Sequence, residues 1–400
     1  MTRNRMFAVG VIGLAVIATG AGRAMVVGAA VAQARLARGA QGAAKMPAFE
    51  WDTTWPKPLP NDKWAIGMVV GVSVDNRDHI WIVHRVSALM KNDRYTAAAQ
   101  NPPIADCCIP APPILEFDQV GNLVSGWGGK GEGYEWPDSE HGIYADVKGF
   151  IWTAGNGGPD AHLLRFTRDG KFVQQIGHKG KCGGNNDTMN VKRAADMTLD
   201  PSTNELYVAD GYGNKRIIVF DADTGAFKRM WGAYGNRPDD GDIGEYDPNA
   251  PPAQQFRTVH GVALSKDGLV YVADRSNDRV QVFRKDGTFV KEQFVAKHTK
   301  LSGAASGVRL SVDPQQQFLY VLDGANHRVH VLLRDSLQEL GYFGRHGHWG
   351  GQLDVPHNMA IDSHGNLYIT ETLEGRRVQR FLYKGLVAPY QGVPSSANSH

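Results

Sequence analysis

Three cysteines in 400 residues are few, and an odd number cannot be fully paired within one chain. Cys107 and Cys108 are adjacent and Cys182 is distant, so one bridge from Cys182 to either neighbour is the expected pairing. The adjacent pair lacks further Cys or His at suitable spacing and makes a poor metal site. Excess charge of one sign is also missing. The formal net charge is +2 and no long basic run occurs, which removes the electrostatic footprint of a nucleic-acid-binding protein. Nor is there a long apolar run. The apolar stretch Phe7 to Ala21 is stopped by Arg23, short of the roughly twenty residues that span a bilayer as a helix.

That short run follows Arg3 and Arg5 and precedes a small-residue site, Ala32-Gln33-Ala34, which is the grammar of a cleaved export signal. Residues 1–45 are therefore expected to direct the chain to the periplasm or outside the cell. Stable membrane insertion is expected only if this segment is retained.

The remainder holds 47 Gly, 20 Pro and 42% apolar residues, the composition of an all-β chain with many turns. A unit seen at Asp354 to Thr372 recurs: an apolar run reaches an acidic or hydroxyl residue, a turn follows, and an alternating run leads into a polar loop. Aligned on the residue that ends the first run, the copies fall at Asp75, Asp146, Asp200, Ser265, Asp313 and Asp362. Spacings of about fifty to seventy residues, with room for four strands each, predict six propeller blades over 46–390 and a loose tail at 391–400. The sixth copy lacks a convincing fourth strand, and Phe49 to Trp55 is expected to supply it and close the ring. Ser87–Pro113 and Ala233–Gln255 read as loops outside the blades. The second is acidic, but without the glycine and terminal glutamate of a calcium loop it reads as a solvated loop.

Five residues before each aligned position stand Val70, His141, Ala195, His260, Val308 and His357. Histidine thus occupies every second blade. First strands line a propeller's central channel, so three imidazoles at one height would approach the axis from alternate blades. Three nitrogens about 2.0 to 2.1 Å from one ion, with one position left open, describe a catalytic zinc site; copper, iron and nickel share the preference for imidazole. His84, His162, His178, His327, His330, His346, His348 and His364 fall outside the register and are read as structural.

The loop after each second strand returns to the histidine end of the channel. There Arg85 and Tyr212 have no counterparts in the other copies, whereas the Asp, Asn and Arg of DGYGNKR, DRSNDRV and DGANHRV recur as blade scaffold. Arginine suits a substrate carboxylate, and tyrosine can transfer a proton when a cation lowers its ordinary pKa of about 10.

The repeats resemble NHL repeats. The set VHR at Val83, HGIYAD at His141, VADGYGNKR around Tyr212, VHGVAL with VADRSNDRVQVF at His260, and VPHNMAID at His357 resembles peptidyl-α-hydroxyglycine α-amidating lyase. The resemblance implies that His141, His260 and His357 bind zinc, that Tyr212 is the base, and that Arg85 holds the substrate. Gly213 stands where the animal enzyme has a disulfide cysteine, and Val355 and Asn358 replace residues of its MPHD, which puts that family's structural calcium in doubt. The implied activity is C–N cleavage of an N-substituted α-hydroxy acid to an amide and glyoxylate, with a carboxylate-bearing peptide or small molecule as substrate. No monooxygenase domain is expected among these 400 residues, and the chain is expected to act as a monomer. Two other functions fit a secreted propeller: a non-enzymatic binder of protein or glycan, and a lactonase-like hydrolase using calcium.

Overall fold

The computed structural model describes residues 45–59, 62–90 and 93–392. The export segment, except Lys45, and most of the expected tail lie outside them. Six four-stranded antiparallel sheets follow one another around an axis. Their first strands are Met68–Val74, Glu140–Ala145, Asp196–Asp200, Val259–Leu264, Gly307–Leu310 and Pro356–Ile361. Each touches the next, and the sixth touches the first, so the all-β six-bladed ring is closed.

The residue that sets the repeat register has a local cause. In the first blade Asp75 Oδ1 accepts from the backbone N–H of Arg77 and His79, while Oδ2 accepts from Trp81 Nε1. Asp146 does the same with Lys148, Phe150 and Trp152, and Asp362 with His364, Asn366 and the Tyr368 hydroxyl. One carboxylate therefore closes the hairpin turn and pins the aromatic of the following strand, which explains the Asp-to-aromatic spacing. Between blades, branched and aromatic side chains are fully buried; Phe49, Tyr320, Phe343, Met359 and Phe381 fill the seam between the fifth and sixth blades. Each such side chain contributes about 1.5–3 kcal/mol through its removal from water.

The ring closes with strands from both ends of the chain. Met46–Trp51 pairs antiparallel with Arg377–Val387 and forms the outer strand of the sixth blade, Met46 lying opposite Val387. This strand begins three residues earlier than Phe49 and ends before Trp55. Met46 is fully buried, so the apolar seam extends past the segment that alternation marks.

The first insertion is more ordered than a loop. It opens with a helical turn, Val86–Leu89, and its Ile109–Pro110 pairs in parallel with Trp64–Ala65. It also corrects the cysteine pairing. Cys107 and Cys108 are joined to each other, and Cys182 is a free thiol. Cys182 sits in the connection between the second and third blades, where its sulfur meets Asn214 Nδ2 and the carbonyls of Gly184 and Asn190.

The acidic second insertion is held by ordinary hydrogen bonds, with Asp240 accepting from Asn185 and Asp239 capping its own turn. The recurring turn residues are scaffold. Asp210–Arg216 and Asp274–Arg279 are fully buried ion pairs at 2.9 Å.

Candidate metal and catalytic site

His141, His260 and His357 are all buried, and each lies at or beside a break in strand pairing. A bulge takes a side chain out of the regular alternation and re-aims it. Here the three rings turn toward one another, with centroids 5.2, 4.7 and 4.9 Å apart. Their ligand nitrogens lie within 4.8 Å of one another.

Each histidine is tethered by a backbone carbonyl of the adjoining blade, supplied by the register residue itself for His141 and His357 and by the residue two before it for His260. His141 Nδ1 stands 2.9 Å from the Ala195 carbonyl, His260 Nδ1 2.5 Å from that of Ser306, and His357 Nδ1 2.8 Å from that of Val70. A carbonyl only accepts, so each Nδ1 carries the proton. Each Nε2 is thereby left with a free lone pair. The next blade thus fixes tautomer and ring orientation, as the outer partners of metal-bound histidines do. Burial pushes all three imidazoles below their ordinary pKa, His357 to about 3, with Arg85 and Arg275 adding to the effect on His357. The rings are neutral and competent to ligate. The donor set fits a borderline divalent ion such as zinc.

Tyr212 reaches the same point. Its Oη lies 3.1 Å from His141 Nε2 and 2.9 Å from His260 Nε2. Gly211 makes this possible, because a Cβ there would fall 2.1 Å from the Val259 carbonyl oxygen on the strand that carries His260. Arg275 Nη1 donates to Tyr212 Oη at 3.0 Å, and the guanidiniums of Arg275 and Arg193 lie over the Tyr212 ring. Arg85 sits close enough to His141 and His357 to disfavour their protonation, and burial lowers its own pKa.

Arg193 and Arg275 were not singled out from the sequence. Arg275 had a signal: in VADR it holds the place that Arg85 holds in IVHR, directly after the second strand. Asn156 joins two of the arginines. Its Oδ1 accepts from Arg85 Nη2 at 3.0 Å, and its carbonyl accepts from Arg193 Nε at 2.7 Å. Glu140, beside His141 on the same strand, is turned to Trp136 Nε1, and burial raises its pKa. The site therefore presents three cations, three neutral imidazoles and one phenol.

The Asn358 side-chain oxygen accepts from Arg309 Nη2 at 3.2 Å, and Arg309 Nη1 pairs with Asp196 at 3.2 Å. A guanidinium already supplies the positive charge there.

Comparison with known proteins agrees with this architecture. The NHL repeat family profile matches residues 256–283. Peptidyl-glycine alpha-amidating monooxygenase A of Xenopus laevis is 26% identical over 337 residues, covering 80% of this chain and 32% of that protein. Peptidyl-alpha-hydroxyglycine alpha-amidating lyase 1 of Drosophila melanogaster is 24% identical over 366 residues, covering 85% and 61%. The chain thus spans about a third of the first relative's length and under two thirds of the second's. Among solved structures, a catalytically inactive virginiamycin B lyase from Staphylococcus aureus, with quinupristin, is similar with a TM-score of 0.45 and 12% identity, covering 85% of this chain and 89% of that one. That likeness is too loose to bear on function. The chain is an NHL-repeat propeller distantly related to the lyase domains of peptide amidation.

Proposed function

We propose that the protein is an exported, metal-dependent lyase that cleaves the C–N bond of a peptidyl-α-hydroxyglycine or a similar N-substituted α-hydroxy acid. The products are an amide and glyoxylate. The observation that carries this reading is the meeting of three Nε2 lone pairs, the Tyr212 hydroxyl and the Arg275 guanidinium at one point of the channel.

His141, His260 and His357 would hold the ion, here assigned as zinc, which when bound supplies Lewis acidity toward the substrate hydroxyl. Arg85 receives the substrate carboxylate through paired hydrogen bonds. Tyr212 Oη acts from its phenolate form, whose negative charge Arg275 is placed to support, and takes the proton from the substrate hydroxyl. As the carbon–oxygen double bond forms, the C–N bond breaks, and its electron pair leaves on the amide nitrogen. Tyr212 then returns the proton to that nitrogen, so no co-reactant is needed. The three histidines are buried and Tyr212, Arg85 and Arg275 are partly buried, so electrostatic interactions among them are stronger than in bulk water.

The deciding experiment measures the metal content of purified protein beside the His141→Ala/His260→Ala/His357→Ala variant, with glyoxylate release from an α-hydroxyglycine peptide as the second readout. About one zinc per chain at this site, lost with activity in a variant that keeps its β circular dichroism, is the expected result. Wild-type protein that takes up no transition metal when zinc is offered would remove the lyase reading.

Asn156 provides a separate check on substrate holding. Asn156→Ala removes the side-chain acceptor of Arg85 while the backbone carbonyl that holds Arg193 remains, so KM for the carboxylate substrate is expected to rise by about tenfold, the loss of roughly one charge-assisted hydrogen bond. A substrate analogue without the carboxylate should show no such change. Equal effects on both substrates would make Asn156 merely structural.

A further inference from the structure

A second histidine group stands outside the channel, in the connection from the fifth blade to the sixth. The sequence HGHWGG places His346 and His348 two residues apart, and Asp354 follows just before the first strand of the sixth blade. His346 Nε2 lies 3.6 Å from Asp354 Oδ1, and His348 Nδ1 lies 3.6 Å from Asp354 Oδ2. These separations exceed hydrogen-bond length. Among the described residues no hydrogen bond is made to either oxygen of this carboxylate, whose side chain is only 8% exposed. The two imidazoles face it from the solvent side.

The loop carrying the histidines is held in shape by its backbone. Leu353 donates to the Arg345 carbonyl at 2.9 Å and accepts from Gly347 N–H at 3.2 Å. Arg377 donates to the carbonyls of His348 at 2.6 Å and Gln352 at 3.0 Å. Glu371 completes the frame, with one oxygen on Arg377 Nε at 2.9 Å and the other on the Asp354 N–H at 2.8 Å. The two histidines and the aspartate are therefore attached to one rigid network. This network leaves their side chains unused.

We propose that His346, His348 and Asp354 form a second transition-metal site on the rim of the propeller, independent of the channel site. An ion about 2.0–2.1 Å from each donor would set neighbouring donors about 3.3–3.5 Å apart in a tetrahedral arrangement. The 3.6 Å gaps to the two Asp354 oxygens are near that value, and the His346 and His348 ring centroids stand 6.0 Å apart, so the site closes by turning the two solvent-exposed rings toward the carboxylate. Two imidazoles with one carboxylate select a borderline divalent ion such as zinc over calcium or magnesium, which prefer all-oxygen sets. Three protein donors leave an open position for water. His327 offers a nitrogen within 4.8 Å of the ligand atoms of His346 and Asp354, and its ring lies edge-on to His346 at 4.5 Å between centroids, but the neutral ring's one lone pair, on Nδ1, accepts the Val355 N–H at 3.1 Å. It forms a wall of the site rather than a ligand.

The test uses zinc alone. Metal-free protein is dialysed against zinc, and bound ion is counted for wild type, for His346→Ala/His348→Ala and for the channel triple variant. About two ions per wild-type chain are expected, and about one in each variant. Asp354→Asn, which keeps the shape and removes the charge, is expected to weaken the rim site by tenfold or more. Loss of one ion in His346→Ala/His348→Ala with none lost in the channel variant would leave the rim site standing and remove the channel site. Zinc uptake by His346→Ala/His348→Ala equal to wild type in number and affinity overturns the proposal. Both rings are exposed, so this variant is expected to fold.

Discussion

Tyr212→Phe is expected to lower the rate constant for glyoxylate release by about 10²–10⁴-fold, the range for loss of a positioned proton-transfer group. Its metal content should remain that of wild type. The substitution removes a single oxygen. The ring keeps its edge contacts with His141 and His260, at 4.9 and 5.3 Å between centroids, so packing in the channel is preserved. Metal retention follows from the carbonyl tethers on Ala195, Ser306 and Val70, none of which involves Tyr212. Turnover by Tyr212→Phe within a few-fold of wild type would take the tyrosine out of the mechanism. Loss of metal along with activity would instead make its hydroxyl part of the metal site.

The largest effect on stability is expected at Asp274. Its Oδ2 accepts from Arg279 Nε at 2.9 Å and Asn277 Nδ2 at 2.7 Å, and its Oδ1 accepts from the backbone N–H of Arg257 at 2.9 Å. Asp274→Ala would leave the buried Arg279 guanidinium with only the longer contact to Glu292, at 3.4 Å, as counter-charge, at a cost of about 3 kcal/mol, the lower end of the range for breaking a buried pair. Arg279 also donates to Tyr234 Oη and to the carbonyls of Ala253 and Gln255, so the acidic insertion loosens with it. Replacing both partners with apolar residues of similar volume is expected to recover only part of the loss. The pair's own contribution is nearly cancelled by its desolvation, but the Arg257 N–H would still lack an acceptor. Urea unfolding midpoints measure both variants. An unchanged midpoint for Asp274→Ala would show that the buried pair does not anchor the fourth blade.

How much of this was legible in the sequence depended on whether a feature repeats. The blade register was readable because one carboxylate in each of several copies closes the same turn and holds the same aromatic, which forces a recurring spacing. The histidine positions were readable as exceptions within that register. Tyr212 stood out because the other copies do not share it, and Arg85 because only the fourth copy repeats it, as Arg275. Arg275 was hidden by its surroundings, since DRSNDRV otherwise carries the scaffold residues Asp274, Asn277 and Arg279. Arg193 lies in the connection before the third blade at a place that Thr258 and Val355 hold before the fourth and sixth, so no shared residue type marks it, and its φ of +60° is a backbone state its sequence does not announce. The strand breaks that re-aim the three histidines were likewise unreadable, because a bulge depends on the partner strand. The cysteine pairing failed for a related reason: separation along the chain says nothing of which loops approach one another.

The closing strand has a consequence for how the protein is made. Met46–Trp51 leaves the ribosome among the first parts of the propeller, yet its partner, Arg377–Val387, is synthesised only after five blades have emerged. Until then Met46 and Phe49 have no seam to enter, and the sixth sheet cannot exist. Contacts this distant in sequence form late and slowly. The last act of folding therefore joins the oldest segment to the newest, and a chain released short of that strand would remain an open, adhesive fragment however well its other blades had formed.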